Sequence, residues 1–200
     1  LDIRNAAKPL PLAERFAGCW KVLVAGSSWP QDEEIIIPYF NKHPNLKLVL
    51  APHVVSEEHL QAIERQLTRP ALRYSKATPK AVAEADCLII DCYGLLSSIY
   101  RYASMAYVGG GFGVGIHNVP EAAVYGIPVI IGPNNKKFRE AQALLRCGGC
   151  KEIAGAADFE QLMDAWLSDK EALATAGKAA GSYIADNAGA ADRIFSKTLQ

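Results

Sequence analysis

"AYVGGGFGVGIHNVPEAAVYGIPVIIGP", residues 106–133, places five glycines within seven positions, between an apolar run and a helix-like stretch. A second apolar run, "IPVIIGP" (127–133), closes the segment. Strand, glycine loop, helix and strand in immediate succession form the unit from which parallel sheets with crossover helices are built. Free N–H groups at a helix start, together with the helix dipole, favour an anion there. The stretch therefore predicts both a fold and a phosphate.

Working outward, the same alternation continues in both directions. "KVLVAGSSW" (21–29) reads as a strand running into a small-residue turn, and "PQDEEIIIPYFNK" as a helix with an acidic first turn. The strand "LKLVLAPH" (46–53) precedes the helix "SEEHLQAIERQL", which Ser56 caps. "ALRYSKA" is a short third strand, "DCLIIDCYG" (86–94) a fourth with "LLSSIYRYA" as its helix, and "MAYVGG" (105–110) a fifth. After the sixth strand, "KKFREAQALLRCGG" is a helix stopped by glycines, "KEIA" an edge strand, and the chain from Asp158 onward helical. The expectation is an α/β domain, a Rossmann-like, mostly parallel sheet with helices on both faces. Its limits are a linker at 1–18, the domain at 19–185 and a helical tail at 186–200.

Ligands of such sheets lie beyond the carboxyl ends of the strands. That rule nominates Ser27-Ser28, Pro52-His53, Tyr93-Gly94-Leu95, Gly109 to Asn118, and Gly132-Pro133. The glycines at 109, 110, 111, 113 and 115 do not spell the dinucleotide GxGxxG, and they follow the fifth strand instead of the first. Gly110 and Gly115 have Walker spacing, but Ile116 and His117 stand where Lys and Ser/Thr are needed. What remains is a flexible phosphate loop (Gly110, Gly111, Gly113, Gly115, His117) leading to Asn118 as N-cap and Pro120 in the first turn. Glu121 either stabilises its own helix through the dipole or accepts ribose hydroxyls. The Glu33-Glu34 pair is read as dipole stabilisation of a first turn.

Composition narrows the function. Lys plus Arg equals Asp plus Glu, so the formal charge is zero and no basic stripe for nucleic acid is expected. No apolar run approaches the roughly 18 residues of a membrane span. The opening "LDIRNAAKPLPLAERF" has neither Met nor a signal-peptide pattern, and reads as the entry to a domain within a longer chain. Five cysteines, an odd number, point to a reducing compartment. "CGGC" (147–150) lacks a second half for zinc and follows a helix instead of opening one, which favours a plain turn over a redox or metal site.

Taken in order, "AGSSWPQDEE", "LAPH", "DCYGLLSSIYRYASMAYVGGGF" and "GIHNVPEAAVYGIPVIIGPNNKKFREA" resemble the second half of the 3-deoxy-D-manno-octulosonic acid (Kdo) transferases. The likeness runs from about Lys8 onward and is most specific over 104–140. It implies the C-terminal half of a two-domain GT-B glycosyltransferase of lipopolysaccharide biosynthesis. Such enzymes transfer Kdo from CMP-Kdo to a lipid A precursor with inversion and without a catalytic metal or other cofactor. The acceptor site and the general base belong to the N-terminal half. The resemblance thus places no catalytic residue in this chain, and puts the whole enzyme at the cytoplasmic face of the inner membrane, attached through that other half.

Carried over residue by residue, the resemblance assigns the CMP part of the donor to Pro52, His53, Tyr93, Gly94, Leu95, Asn118, Val119, Pro120 and Glu121. Ser27 and Ser28 match a turn facing the donor. Two positions depart from the family: His53 replaces a usual Arg, and Leu95 a usual Glu. An Arg is permanently charged and forked, whereas an imidazole is fractionally charged near neutrality. His117 is read as a packing or orienting residue, and Lys136, Lys137 and Arg139 as either facing the donor or solvated. Two alternatives stand beside this reading: a GT-B enzyme or epimerase using a UDP-sugar, and a non-catalytic nucleotide-binding module. No second glutamate follows Glu121 on its helix, as a uridine enzyme would be expected to show.

Overall fold

The computed structural model describes residues 2–198, with side-chain surroundings for residues 4–188. The chain begins with helices α1 (Asp2–Ala6) and α2 (Pro11–Ala17) and then alternates. β1 (Lys21–Ser28), α3 (Pro30–Lys42), β2 (Leu46–Pro52) and α4 (Glu57–Gln66) come first. β3 (Ala71–Arg73), α5 (Pro79–Glu84), β4 (Cys87–Ile89), α6 (Leu96–Ile99) and β5 (Met105–Val108) follow. The glycine loop leads to α7 (Pro120–Ala123), β6 (Val129–Ile131), α8 (Arg139–Cys147) and β7 (Cys150–Glu152). Helices α9 (Ala156–Ser168) and α10 (Lys170–Thr198) complete the order.

The strands form one sheet in the order β3-β4-β2-β1-β5-β6-β7, with every pairing parallel. Both faces are covered, so the central strands are buried throughout, which is why they read as continuous apolar runs. Alternate residues divide between two cores. Val22, Val24, Val49, Ala106 and Val129 meet Phe16 of α2, Val82 of α5 and Leu144 of α8. Leu23, Leu48, Leu50, Tyr107 and Ile130 meet Ile36 and Phe40 of α3, Ile63 of α4 and Phe159 of α9. Each fully buried aliphatic or aromatic side chain contributes about 1.5–3 kcal/mol of transfer free energy.

Several expectations change in detail. The span 1–18 carries helix α2, whose Phe16 is buried; the buried Lys47 ammonium lies over the Phe16 ring and donates to its carbonyl at 3.1 Å. Residues 74–76 form a 3-10 turn instead of extending β3. The segment 78–84, unassigned from sequence, is α5, with Thr78 capping it and Pro79 at its first position. Helix α10 runs without a break through residue 185, and the side chains of the tail beyond residue 188 lie outside the described residues. Ser56 caps α4 as expected, accepting the His59 N–H at 3.2 Å.

Candidate functional site

Strand order reverses at β1, which has β2 on one side and β5 on the other, so the crevice opens at the carboxyl ends of these strands. Three aromatic rings meet there. The Trp29 ring stacks on His53 at a centroid distance of 4.7 Å, and His53 contacts His117 at 4.5 Å. The Trp29 indole N–H donates to His117 Nε2 at 3.2 Å, which places the proton of a neutral His117 on Nδ1. Burial lowers the His117 pKa and His53 lowers it further; Asp32 acts in the opposite direction.

A cavity opens on each side of this group. One, of about 180 Å³, is lined by Ser27, Pro52, His53, Cys92, Tyr93 and Gly94 among others. The second, of about 410 Å³, is lined by His117, Asn118, Val119, Pro120, Phe138 and Glu140 among others. The imidazole pair is their common wall. Most residues nominated from the sequence thus come together around one crevice, in two groups.

The glycine loop itself behaves differently from the expected phosphate cradle. Its amides are largely committed within the protein: Gly109 to the Gly26 carbonyl, and Gly113 and Gly115 to the Gly110 carbonyl. The Gly110 N–H donates to Asp32 Oδ2 at 3.0 Å, so a buried protein carboxyl group holds the position where an anion was expected. The glycines serve close packing. A Cβ on Gly109 would collide with the Ser27 carbonyl, and one on Gly111 would lie 2.5 Å from Gly132 Cα, whereas one on Gly113 would meet nothing. Gly110 and Gly115 also have φ of +94° and +110°, which a side chain strongly disfavours.

Asn118 does not cap α7. Val119 occupies that place, already helical, and the helix is a single turn. The Asn118 side chain instead donates to Glu121 Oε1 at 3.1 Å. Glu121 is half-buried, is not among the residues lining either cavity, and accepts from Asn118. Among the described residues the Asn118, Val119 and Glu121 amides have no backbone acceptor.

Ser27 and Ser28 part company. A register irregularity between Gly26 and Ser28 accompanies φ of +52° at Ser27, which lines the smaller cavity. Ser28 is turned inward and fully buried, its hydroxyl donating to Glu33 Oε1 at 2.8 Å, so it does not face a donor. Leu95 packs its side chain against the core, and Leu96 lines the cavity in its stead. Lys136, Lys137 and Arg139 are exposed and line neither cavity.

Sequence reasoning missed Asp32 and Glu33 as organisers of this edge. Asp32 also accepts from the Tyr107 hydroxyl at 2.6 Å and the Trp29 N–H at 2.9 Å. Burial first, and then the Asp32 charge, raises the Tyr107 pKa and keeps its phenol a donor. Glu33 Oε2 lies 2.8 Å from His59 Nε2. The bonds from Asp32 to Tyr107 and Gly110 span 75 and 78 positions, so no local pattern announces them.

No family model matches the chain. A curated Kdo transferase of Chlamydophila psittaci is 34% identical over 137 residues, covering 65% of this chain and 31% of that protein. The Haemophilus influenzae Kdo transferase is 27% identical over 207 aligned positions, covering 97% and 48%. The chain is a homologue of the 3-deoxy-D-manno-octulosonic acid transferases. It spans between about a third and a half of the length of these relatives.

Solved structures give the same fold. The C-terminal CMP-Kdo binding domain of WaaA from Acinetobacter baumannii superposes with a TM-score of 0.73 at 22% identity, covering 91% of this chain and 97% of that one. Anabaena HepE in complex with UDP-glucose gives a TM-score of 0.67 at 12% identity, covering 100% and 55%. The architecture expected from the sequence, a Rossmann-like parallel sheet with helices on both faces, is the one observed. Among the described residues no helix is long and apolar enough to cross a membrane.

Proposed function

We propose that this chain is the donor-binding domain of an inverting, metal-independent glycosyltransferase that moves Kdo from CMP-Kdo to a lipid A precursor. The observation that carries the reading is the pair of cavities meeting at His53 and His117, at the switch point of the sheet. The sequence kinship with Kdo transferases supports it. The smaller cavity takes the pyrimidine between Pro52, His53 and Tyr93. Asn118, held by Glu121, serves the ribose, and the larger cavity takes the sugar acid. The phosphate sits between them, where the unpaired amides at 118, 119 and 121 are the backbone donors at hand.

Breaking the glycosidic bond leaves CMP with an additional negative charge. Each ~1.4 kcal/mol by which the site stabilises that charge in the transition state is worth tenfold in rate. The base that deprotonates the acceptor hydroxyl, the acceptor site and the attachment to the inner membrane belong to the part of the relatives that this chain does not span. By itself the chain binds donor and does not turn over. The test is calorimetric titration with CMP and UMP. Preference for CMP, weakened at least about tenfold, or ~1.4 kcal/mol, in Asn118→Ala, supports the reading. Equal or better binding of UMP contradicts it and favours a UDP-sugar enzyme.

A further inference from the structure

Resting on that reading, we infer that His53 is the cation of the donor site, taking up one proton as an anionic nucleotide ester binds between the two cavities. Among the described residues neither cavity is lined by a Lys or an Arg. The cations of the nearby connection, Lys136, Lys137 and Arg139, stand exposed outside both. Four of the glycine-loop amides, those of Gly109, Gly110, Gly113 and Gly115, are bonded internally, that of Gly110 to Asp32. Among the described residues lining the two cavities, the two imidazoles are thus the only side chains able to become positive beside a bound phosphodiester.

The geometry divides their roles. His117 accepts the Trp29 indole N–H on Nε2, so protonating that nitrogen would break the bond. Burial also disfavours the charged form of His117. His53 is exposed and stacks on the Trp29 face at 4.7 Å with an interplanar angle of 23°, a surface that favours a cation. With the rings 4.5 Å apart, double protonation is opposed by like-charge repulsion. The proton goes to His53, while Trp29 and His117 are positioning residues. The other ionisable groups around the pair are Asp32 of α3, Cys92 and Tyr93 of the β4–α6 connection, Glu121 of α7 and Glu140 of α8. Asp32, the acid whose charge acts on His117, is already bonded to Tyr107, Gly110 and Trp29.

The probe is the methyl ester of CMP, a phosphodiester whose charge does not change near neutrality, so that proton uptake reports on the protein. Its binding is followed calorimetrically in buffers of different ionisation enthalpy, beside uncharged cytidine. One linked proton predicts an affinity about tenfold higher near pH 6 than near pH 8, with net proton uptake above neutrality and no such trend for cytidine. His53→Arg binds the ester with a flat pH profile, and His53→Gln loses the low-pH gain. Ester binding that is independent of pH, or a full pH response in His53→Gln, overturns the inference and leaves the donor reading standing. Equal, proton-coupled binding of the uridine ester sinks the cytidine assignment and supports the role of His53. No binding of either ester at any pH overturns both.

Discussion

Asp32 accepts the Gly110 amide at 3.0 Å across 78 positions of sequence, joining the start of α3 to the loop that follows β5. The same carboxyl group takes the Tyr107 hydroxyl and the Trp29 amide, and its side chain is fully buried. Removing it leaves three donors unpaired, each costing on the order of 1–3 kcal/mol. Asp32→Ala is therefore expected to lose about 3 kcal/mol or more of stability in urea titration. Asp32→Asn, which keeps one acceptor oxygen, is expected to lose less. Equal stability of Asp32→Ala and the parent chain would remove Asp32 from this role.

The glycines of the loop are not equivalent. Gly109→Ala places a methyl group against the Ser27 carbonyl and Asp32 Oδ2 and is expected to destabilise by about 2–3 kcal/mol. Gly113→Ala points into open space and is expected to stay within about 0.5 kcal/mol of the parent. Thermal melts of the two variants compare them directly; a similar loss in both would mean that the loop is held by something other than close packing.

His59 links stability to pH. Its Nδ1 lies 2.9 Å from the Val54 carbonyl and its Nε2 2.8 Å from Glu33, so both nitrogens face acceptors. Burial alone would lower its pKa, but the Glu33 and Val54 bonds outweigh it and the net shift is upward. A raised folded-state pKa gives stabilisation that is full below the unfolded imidazole value of about 6.5 and is lost as pH rises through the folded value. In urea titrations the advantage of the parent over His59→Gln should be larger near pH 5.5, below the unfolded value, than near pH 9, above the about 5–8 window where imidazoles change charge. An advantage that grows with pH would contradict the assignment.

The cysteines divide by access. Cys19 and Cys147 are exposed and should react quickly with a thiol reagent in the native state. Cys87 and Cys150 are buried; burial raises the Cys87 thiol strongly and lifts Cys150 to about 12, so both should react only on unfolding. Fast native modification of Cys150 would contradict the buried placement. Cys147→Ser should leave the melting temperature nearly unchanged, since "CGGC" is a turn in which Gly148 closes α8 at φ +83° and Gly149 packs against Ala180.

The sheet was legible because strands buried on both faces read as unbroken apolar runs, and β1, β2 and β5 do so. Helix α5 was not read from the sequence: Thr78 followed by Pro79 is a helix start, but its few residues give little periodicity. The positions around the crevice followed from strand ends and from family likeness, without any view of their contacts. What the residues alone could not disclose was long-range: a buried carboxyl group under the glycine loop, Ser28 turned to Glu33, and Asn118 spending its side chain on Glu121. An acidic first turn looks the same whether it faces solvent or another strand's loop. The expected phosphate loop was displaced for that reason, since Asp32 occupies the Gly110 amide.

The most direct test of the donor site is to map backbone amide shifts of the isotopically labelled chain on titration with CMP. The account predicts saturable shifts at His53, Tyr93, Gly94, Asn118 and Val119, on both sides of the His53–His117 wall, with UMP much weaker. Shifts confined to other surfaces, or the same pattern at the same concentration with UMP, would contradict a cytidine-nucleotide donor site at this crevice.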